Sequence, residues 1–275
     1  MLKSIEFIAL FFLSINLLTG QMSFSSVDEI KESPYRFKLG GEIAFVIGGA
    51  AGRLGGEAII SNITPFTEKE LEALDANSVN AFDRSGTSQF SLSARTTSDH
   101  IRNATYALPL LLLFDKQMGD NWKDIIVIGG EALLVNSGVS TLSKGLFARA
   151  RPIAYNENAP LEERLDINAK LSFISGHTST TAVMSFVTAK MFSDFYPDSP
   201  LRPYFWGGAS ALTLATGYFR YKGGKHFFSD VLIGGSVGAM IGIFVPQLHK
   251  NKVTLGEATL GFVSDSGQVG LVLRW

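Results

Sequence analysis

Three short runs in this chain gather side chains suited to the chemistry of an oxyanion. Arg220 is followed after five residues by His226, and after three more by Asp230. At the start of a helix, a spacing of four places His226 and Asp230 on one face. A carboxylate so placed accepts a hydrogen bond from one imidazole nitrogen. It fixes the tautomer and leaves the other nitrogen as a nucleophile or base. Arg220 precedes the loop Lys222-Gly223-Gly224-Lys225, and its guanidinium suits two oxygens of a phosphate. Ser175-Gly176-His177 opens a long helical pattern, where free N–H groups and the helix dipole favour an anion beside His177. Lys144, Arg149 and Arg151 lie at a helix C-terminus that Pro152 is expected to end.

Each run alone also has a plainer reading. His226 and Asp230 read equally as a surface histidine and a helix-start carboxylate on a basic loop. Ser175-Gly176 reads as an ordinary N-cap. The cations of 144–151 complement a helix dipole or set the orientation of a membrane helix. The conjunction carries more weight, because two of only four histidines fall in these runs. Together the runs hold three phosphate-binding cations, an anion-binding helix start, and two histidines with one aspartate partner. That is a complete inventory for phosphoryl transfer without a metal.

The order and spacing resemble the signature of the type 2 phosphatidic acid phosphatase (PAP2) and vanadium haloperoxidase superfamily. That signature is Lys-x6-Arg-Pro, then Pro-Ser-Gly-His, then Ser-Arg-x5-His-x3-Asp. Lys144 to Pro152 match the first part; Ile174 stands for the proline of the second, and Phe219 for the serine of the third. The lost serine removes one phosphate hydrogen bond. The resemblance covers roughly residues 100–248. It implies that His226 attacks phosphorus and becomes phosphohistidine, that Asp230 orients it, and that His177 protonates the leaving alkoxide and later helps activate water. It implies that Lys144, Arg151 and Arg220 hold the phosphate oxygens, with the Ser175 hydroxyl and the Gly176 N–H. Arg149 lies outside the signature and reads as structural or as part of the substrate rim.

The elements that must position these groups are mostly helical. Helical patterns cover about 99–115, 122–147, 177–193, 203–220 and 227–247. With the resemblance they imply an all-α, PAP2-type bundle of about five to six core helices, embedded in a membrane. Residues 203–219 and 231–248 carry no charge and reach the lower limit of a span. Residues 38–60 are apolar and Gly-rich, with Gly48, Gly52 and Gly56 on one face, as are Gly234, Gly238 and Gly242 later. Glu42, Arg53 and Glu57 interrupt the first segment, so it is expected not to cross. Thr67 and Glu70 form a capping box for a helix over 68–74, and 77–97 reads as loop. Val253–Val263 and Val269–Trp275 flank Asp265-Ser266-Gly267 as a β-hairpin. Residues 1–20 read as an export signal, with Lys3 ahead of a short apolar run. Four regions follow: the signal at 1–20, an N-terminal helix and polar loop region at 21–98, the catalytic bundle at 99–248, and the hairpin appendage at 249–275.

If the five helices alternate across a bilayer, loops 148–176 and 220–227 share one side with the chemistry. Lys116, Lys123, Lys190, Arg202, Lys250 and Lys252 lie on the other, as in cytoplasmic loops. The expected location is therefore the cell envelope, in an inner membrane with the site facing the periplasm. The alternative is a soluble periplasmic acid phosphatase, a form in which members of this superfamily also occur. A net charge of −1 offers nothing to nucleic acid. The absence of cysteine removes thiolate metal sites and cysteine nucleophiles. No cofactor or metal is expected. The expected substrate is a phosphorylated lipid or small phosphoester. Two rival functions remain. One is a haloperoxidase with vanadate on His226. The other is a membrane binding protein with a degenerate site. The oligomeric state is not encoded in any of these patterns.

Overall fold

The computed structural model describes residues 33–37 and 39–250, and the backbone of three strands between 253 and 274. The signal expected over 1–20 lies outside the described residues. Six long helices form the bundle: α1 Leu39–Ile60, α2 Leu92–Thr105, α3 Trp122–Phe147, α4 Gly176–Phe195, α5 Arg202–Lys222 and α6 Phe228–His249. Helix α4 is the centre, packed by α2, α3, α5 and α6, while α1 lies along α3. Ile125 and Ile128 of α3, Val183, Val187 and Met191 of α4, and Val245 of α6 meet in the core. Each such side chain contributes roughly 1.5–3 kcal/mol on burial.

Small residues set how closely these helices approach. Gly234 and Gly242 of α6 lie on α4, where an added Cβ would stand 2.8 Å from the carbonyls of Ser175 and Val183 respectively. On α1 the seam is Gly49, Gly52 and Gly56 against α3; Gly48 faces open space. The seam expected from Gly48 is thus displaced by one residue at its first turn. Glycines lie on more than one side of helix α1, so spacing alone did not reveal its packed face. A Cβ on Gly138 of α3 would lie 2.5 Å from the Gly49 carbonyl oxygen. Gly138→Ala is therefore expected to part α1 from α3, at about 1–3 kcal/mol, read as a lower melting temperature in detergent.

Several boundaries differ from expectation, and two of them matter for the site. Helix α2 starts at Leu92, with the Ser91 hydroxyl accepting from the Ala94 N–H at 3.2 Å. It ends at Thr105, and Pro109 opens a separate short helix, Leu108–Leu111. The stretch 77–97, read as loop, also holds the short helix Ala81–Arg84. Helix α3 ends at Phe147, the limit of the expected span, so Arg149 and Arg151 follow the helix rather than lie in its last turn. Ala148 turns left-handed there (φ 41°) and its N–H bonds the Lys144 carbonyl. That turn directs residues 149–151 back across the bundle.

Among the described residues, three helices are long and apolar enough to cross a membrane: Gly40–Ile60 of α1, the helix beginning at Trp122, and Phe228–His249. Helix α1 is thus a candidate span despite its three charges, two of which, Arg53 and Glu57, pair with each other. Helix α5, offered as a span by its lack of charge over 203–219, is not among the three; Tyr204, Trp206, Thr213, Thr216 and Tyr218 dilute its apolar character. Lys190 is not a loop cation, since α4 continues to Phe195 and Lys190 pairs with Asp194 inside it. The C-terminal segment is a three-stranded antiparallel sheet, β1 Val253–Leu255, β2 Ala258–Asp265 and β3 Gln268–Arg274. The single strand expected over 253–263 is therefore two strands, which Gly256 separates in sequence. Ser266 and Gly267, the expected turn, lie outside the described residues.

Candidate functional site

Three chain segments converge on the start of α4: the end of α3 with the 149–151 turn, the 171–177 segment, and the α5–α6 junction. Lys144 lies over Gly176, where an added Cβ would come within 3.0 Å of its Nζ and 3.1 Å of the Ser140 hydroxyl. Only glycine leaves the α4 N-terminus open to that ammonium. Arg151 is buried, and its Nη2 donates to the Leu171 carbonyl at 3.1 Å. Arg220 is buried, with Nη1 3.3 Å from both the Ser98 hydroxyl and Asp99 Oδ1. The Nε of Arg151 and the Nε of Arg220 are both fully buried and have no acceptor. Burial lowers Arg151 from its ordinary value to about 10. Cations held out of water without their acceptors create a strong demand for an anion.

His226 is almost fully buried, and its Nδ1 lies 2.7 Å from the Ser172 carbonyl oxygen. A carbonyl only accepts, so Nδ1 carries the proton and Nε2 keeps its lone pair. Burial, then the fields of Arg151, Arg220 and Lys144, hold the ring well below its usual pKa. It is therefore a neutral imidazole among cations, the state a nucleophile needs.

Asp230 does not touch that ring as the spacing suggested; its Oδ2 is 4.0 Å from Nδ1. The cause is local. Helix α6 begins at Phe228, with Phe227 as N-cap, so His226 precedes the helix. Asp230 Oδ2 instead accepts from the Phe227 N–H at 2.9 Å and from the Ser172 hydroxyl at 2.6 Å. It thus holds the residue whose carbonyl holds His226. Arg149 Nη1 lies 2.5 Å from Asp230 Oδ1, and Nη2 lies 2.7 Å from Asp83 Oδ2. Asp83 also accepts from the Ser229 N–H and hydroxyl. Burial pushes the Asp83 carboxyl upward, but these bonds outweigh it and keep its pKa below the ordinary value.

His177 Nε2 lies 2.7 Å from Asp99 Oδ1 on α2, and the same oxygen faces Arg220. The Ser175 hydroxyl is fully buried and bonded to the Thr178 hydroxyl at 2.8 Å, with Gly234 of α6 packed on Ser175. Ser175 therefore joins α4 to α6, and its hydroxyl shares a hydrogen bond with that of Thr178. The structure gathers Lys144, Arg151, Ser175, Gly176, His177, Arg220, His226 and Asp230 around the start of α4. It adds Asp99, Ser172 and Asp83, and gives Arg149 a definite place between two carboxylates. A second set of bonds steadies the loop before His226. Arg95 donates to the Gly223 carbonyl at 2.7 Å, and Arg95 and Lys225 both pair with Glu163.

An apolar groove of about 840 Å³ runs between α5 and α6, lined by Phe186, Leu214, Tyr218, Phe228 and Leu232, and it reaches Thr178. Thr178 is the residue next to His177.

No curated protein matches this chain closely enough to count as a relative. Among solved structures, the crystal structure of Aquifex aeolicus LpxE is 21% identical with a TM-score of 0.39, covering 56% of this chain and 86% of that one. The crystal structure of the first transmembrane PAP2 type phosphatidylglycerolphosphate phosphatase from Bacillus subtilis is 20% identical with a TM-score of 0.39, covering 75% and 92%. Residues 125–254, which carry every one of the groups gathered here from Lys144 to Asp230, match the model of the PAP2 superfamily.

Proposed function

We propose that this chain is a membrane-associated phosphatase that hydrolyses a lipid phosphate through phosphohistidine on His226. The observation that carries the reading is the pair of buried guanidinium N–H groups, from Arg151 and Arg220, that lack an acceptor beside a neutral His226. A phosphoryl group supplies those acceptors. The His226 Nε2 lone pair attacks phosphorus, and the bond from phosphorus to the leaving oxygen breaks. His177 gives that oxygen its proton. A water then attacks the phosphohistidine, with His177 taking the water's proton and phosphate leaving. Lys144, Arg151, Arg220 and the Gly176 N–H stabilise charge on the equatorial oxygens. No metal or other cofactor takes part in these steps.

The apolar groove beside Thr178 favours a substrate with hydrocarbon chains. The three long apolar helices favour a membrane location. Loops 148–176 and 220–227 place the site away from Lys123 and Lys250, which supports a site facing outward from the cytoplasm.

The test is phosphate release by purified full-length chain in detergent, with no metal added. A long-chain lipid phosphate and a soluble aryl phosphate are compared in parallel. Faster release from the lipid supports the reading. Preference for the aryl ester would make it a general acid phosphatase. No release from either, with halide oxidation on adding vanadate, would make it a haloperoxidase. No activity of either kind would leave a binding protein.

Asp99 occupies the anion's place between His177 and Arg220, so substrate must displace it from Arg220. Asp99 is about half exposed, which limits the pair's strength to about 1 kcal/mol. Asp99→Asn is expected to tighten inhibition by inorganic phosphate about two- to fivefold. It is also expected to lower kcat about tenfold or more, because His177 loses its orienting partner. Steady-state kinetics with phosphate as inhibitor separates the two effects.

A further inference from the structure

We propose that Glu42, Glu131 and His249 form a binding site for one divalent transition-metal ion of the zinc class, separate from the phosphate site. The three residues come from α1, α3 and α6, the same three helices that are long and apolar enough to cross a membrane. One ligand atom from each lies within 4.8 Å of the others.

The histidine is set for this role by its own helix. His249 Nδ1 lies 2.8 Å from the Val245 carbonyl oxygen, so Nδ1 carries the proton. In the neutral ring, Nε2 then presents a lone pair, and it points at Glu131 Oε2 (3.0 Å) and Glu42 Oε2 (3.2 Å). A carbonyl on the far nitrogen is how metal-bound histidines are usually oriented. The second observation is independent. Glu131 is 6% exposed, and its Oε2 is buried with no hydrogen-bond partner while aimed into this cluster. A carboxylate oxygen and an imidazole lone pair facing each other in an apolar setting need a proton or a metal cation between them.

The donor set and the spacing indicate which cation. Imidazole nitrogen and carboxylate oxygen are both zinc ligands. Tetrahedral bonds of about 2.0 Å place neighbouring ligand atoms about 3.3 Å apart, close to the 3.0 and 3.2 Å found here. Phe45 stacks on the His249 ring at 5.4 Å and Phe37 meets it edge-on at 5.6 Å, which covers the imidazole side of the cluster. Helix α6 separates the two sites. It starts beside His226 and ends at His249, roughly 33 Å away at 1.5 Å per residue. The ion's role is therefore to clamp three helices, and it takes no part in the chemistry at His226.

The experiment uses the untagged full chain in detergent, loaded with zinc and desalted. Bound metal is measured by mass spectrometry and stability by thermal melting. About one equivalent of zinc should be retained, with a melting temperature several degrees above that of the chelated protein. Glu131→Gln and His249→Gln should each weaken zinc binding by more than about tenfold. If either variant fails to fold, Glu42→Gln, at the more exposed ligand, serves in its place. Wild-type protein that retains no zinc and melts at the same temperature with or without it would overturn the proposal. That result would make the cluster an imidazolium paired with carboxylates. Zinc retained equally by all variants would overturn it too. Turnover is not a readout, so failure of the phosphatase reading leaves this test intact.

Discussion

His226→Ala is expected to lower kcat by a factor of at least about 10⁴ and to abolish formation of an acid-labile, base-stable phosphoenzyme. A loss of that size corresponds to about 5.4 kcal/mol of transition-state stabilisation at 1.36 kcal/mol per tenfold. The expectation rests on the ring's state as well as its place. Nδ1 is committed to the Ser172 carbonyl, and burial with three cations keeps the ring neutral. The Nε2 lone pair is then available over a wide pH range. The variant removes a buried side chain, so a melting curve must show that the bundle still folds. His226→Gln offers a bulkier replacement that lacks a nucleophile. His177→Ala makes the complementary test. It should slow phosphoenzyme formation with poor leaving groups and spare it with an activated aryl ester, whose leaving oxygen needs no proton. If His226→Ala turned over within about tenfold of wild type, His226 would not be the nucleophile, and a direct attack by water would replace the covalent route.

The residues that sequence made legible are those whose relations are local. Lys144 to Arg151, Ser175 to His177, and Arg220 to Asp230 each lie within one turn or loop, and their spacing fixes their order around an anion. The residues it missed reach the site across long separations. Asp99 meets His177 over 78 positions, Ser172 meets His226 over 54, and Asp83 meets Ser229 over 146. No spacing rule links such pairs. Asp99 was further hidden by its setting, since Arg95, Thr96, Thr97 and Ser98 make the start of α2 look like polar loop. Arg95 and Ser98 are polar because they line the site. The reading of His226 and Asp230 shows a different limit. The spacing was right, but it was taken as helical from His226, and the helix starts two residues later. Asp230 therefore became the cap of α6, and its control over the imidazole passes through Ser172. The helix order held because each long apolar run ends at a recognisable Gly, Pro or charged turn. Which face of α1 packs did not, because that helix carries glycines on more than one side.

Arg149→Met is the substitution expected to cost the fold most, about 3 kcal/mol of stability, with a loss of activity beyond that. Arg149 is the shared partner of two carboxylates that are otherwise out of water; the side chains of Asp83 and Asp230 are 2% and 0% exposed. Removing one partner of a buried pair costs about 3–5 kcal/mol, because the remaining charge is stranded. The lower end applies here. Arg149 is itself 26% exposed, and both carboxylates keep donors from Ser229, Ser172 and the backbone. Arg149→Lys should recover only part of the loss, since one ammonium cannot span the two acids as the guanidinium fork does. The denaturation midpoint measures the stability term. A double-mutant cycle with Asp83→Asn isolates the pair: the second substitution removes the stranded charge, so the two losses should fall short of adding by at least about 1 kcal/mol. The activity term has a separate origin. Asp230, once released by Arg149, holds Ser172 less firmly, and Ser172 in turn holds the tautomer and direction of His226 less firmly. kcat should therefore fall with little change in KM, since the phosphate-holding Lys144, Arg151 and Arg220 are untouched. A cost below about 0.5 kcal/mol, within the range of ordinary surface substitutions, would mean that Asp83 and Asp230 need no shared cation. The route from Arg149 through Asp230 to His226 would then have to be abandoned.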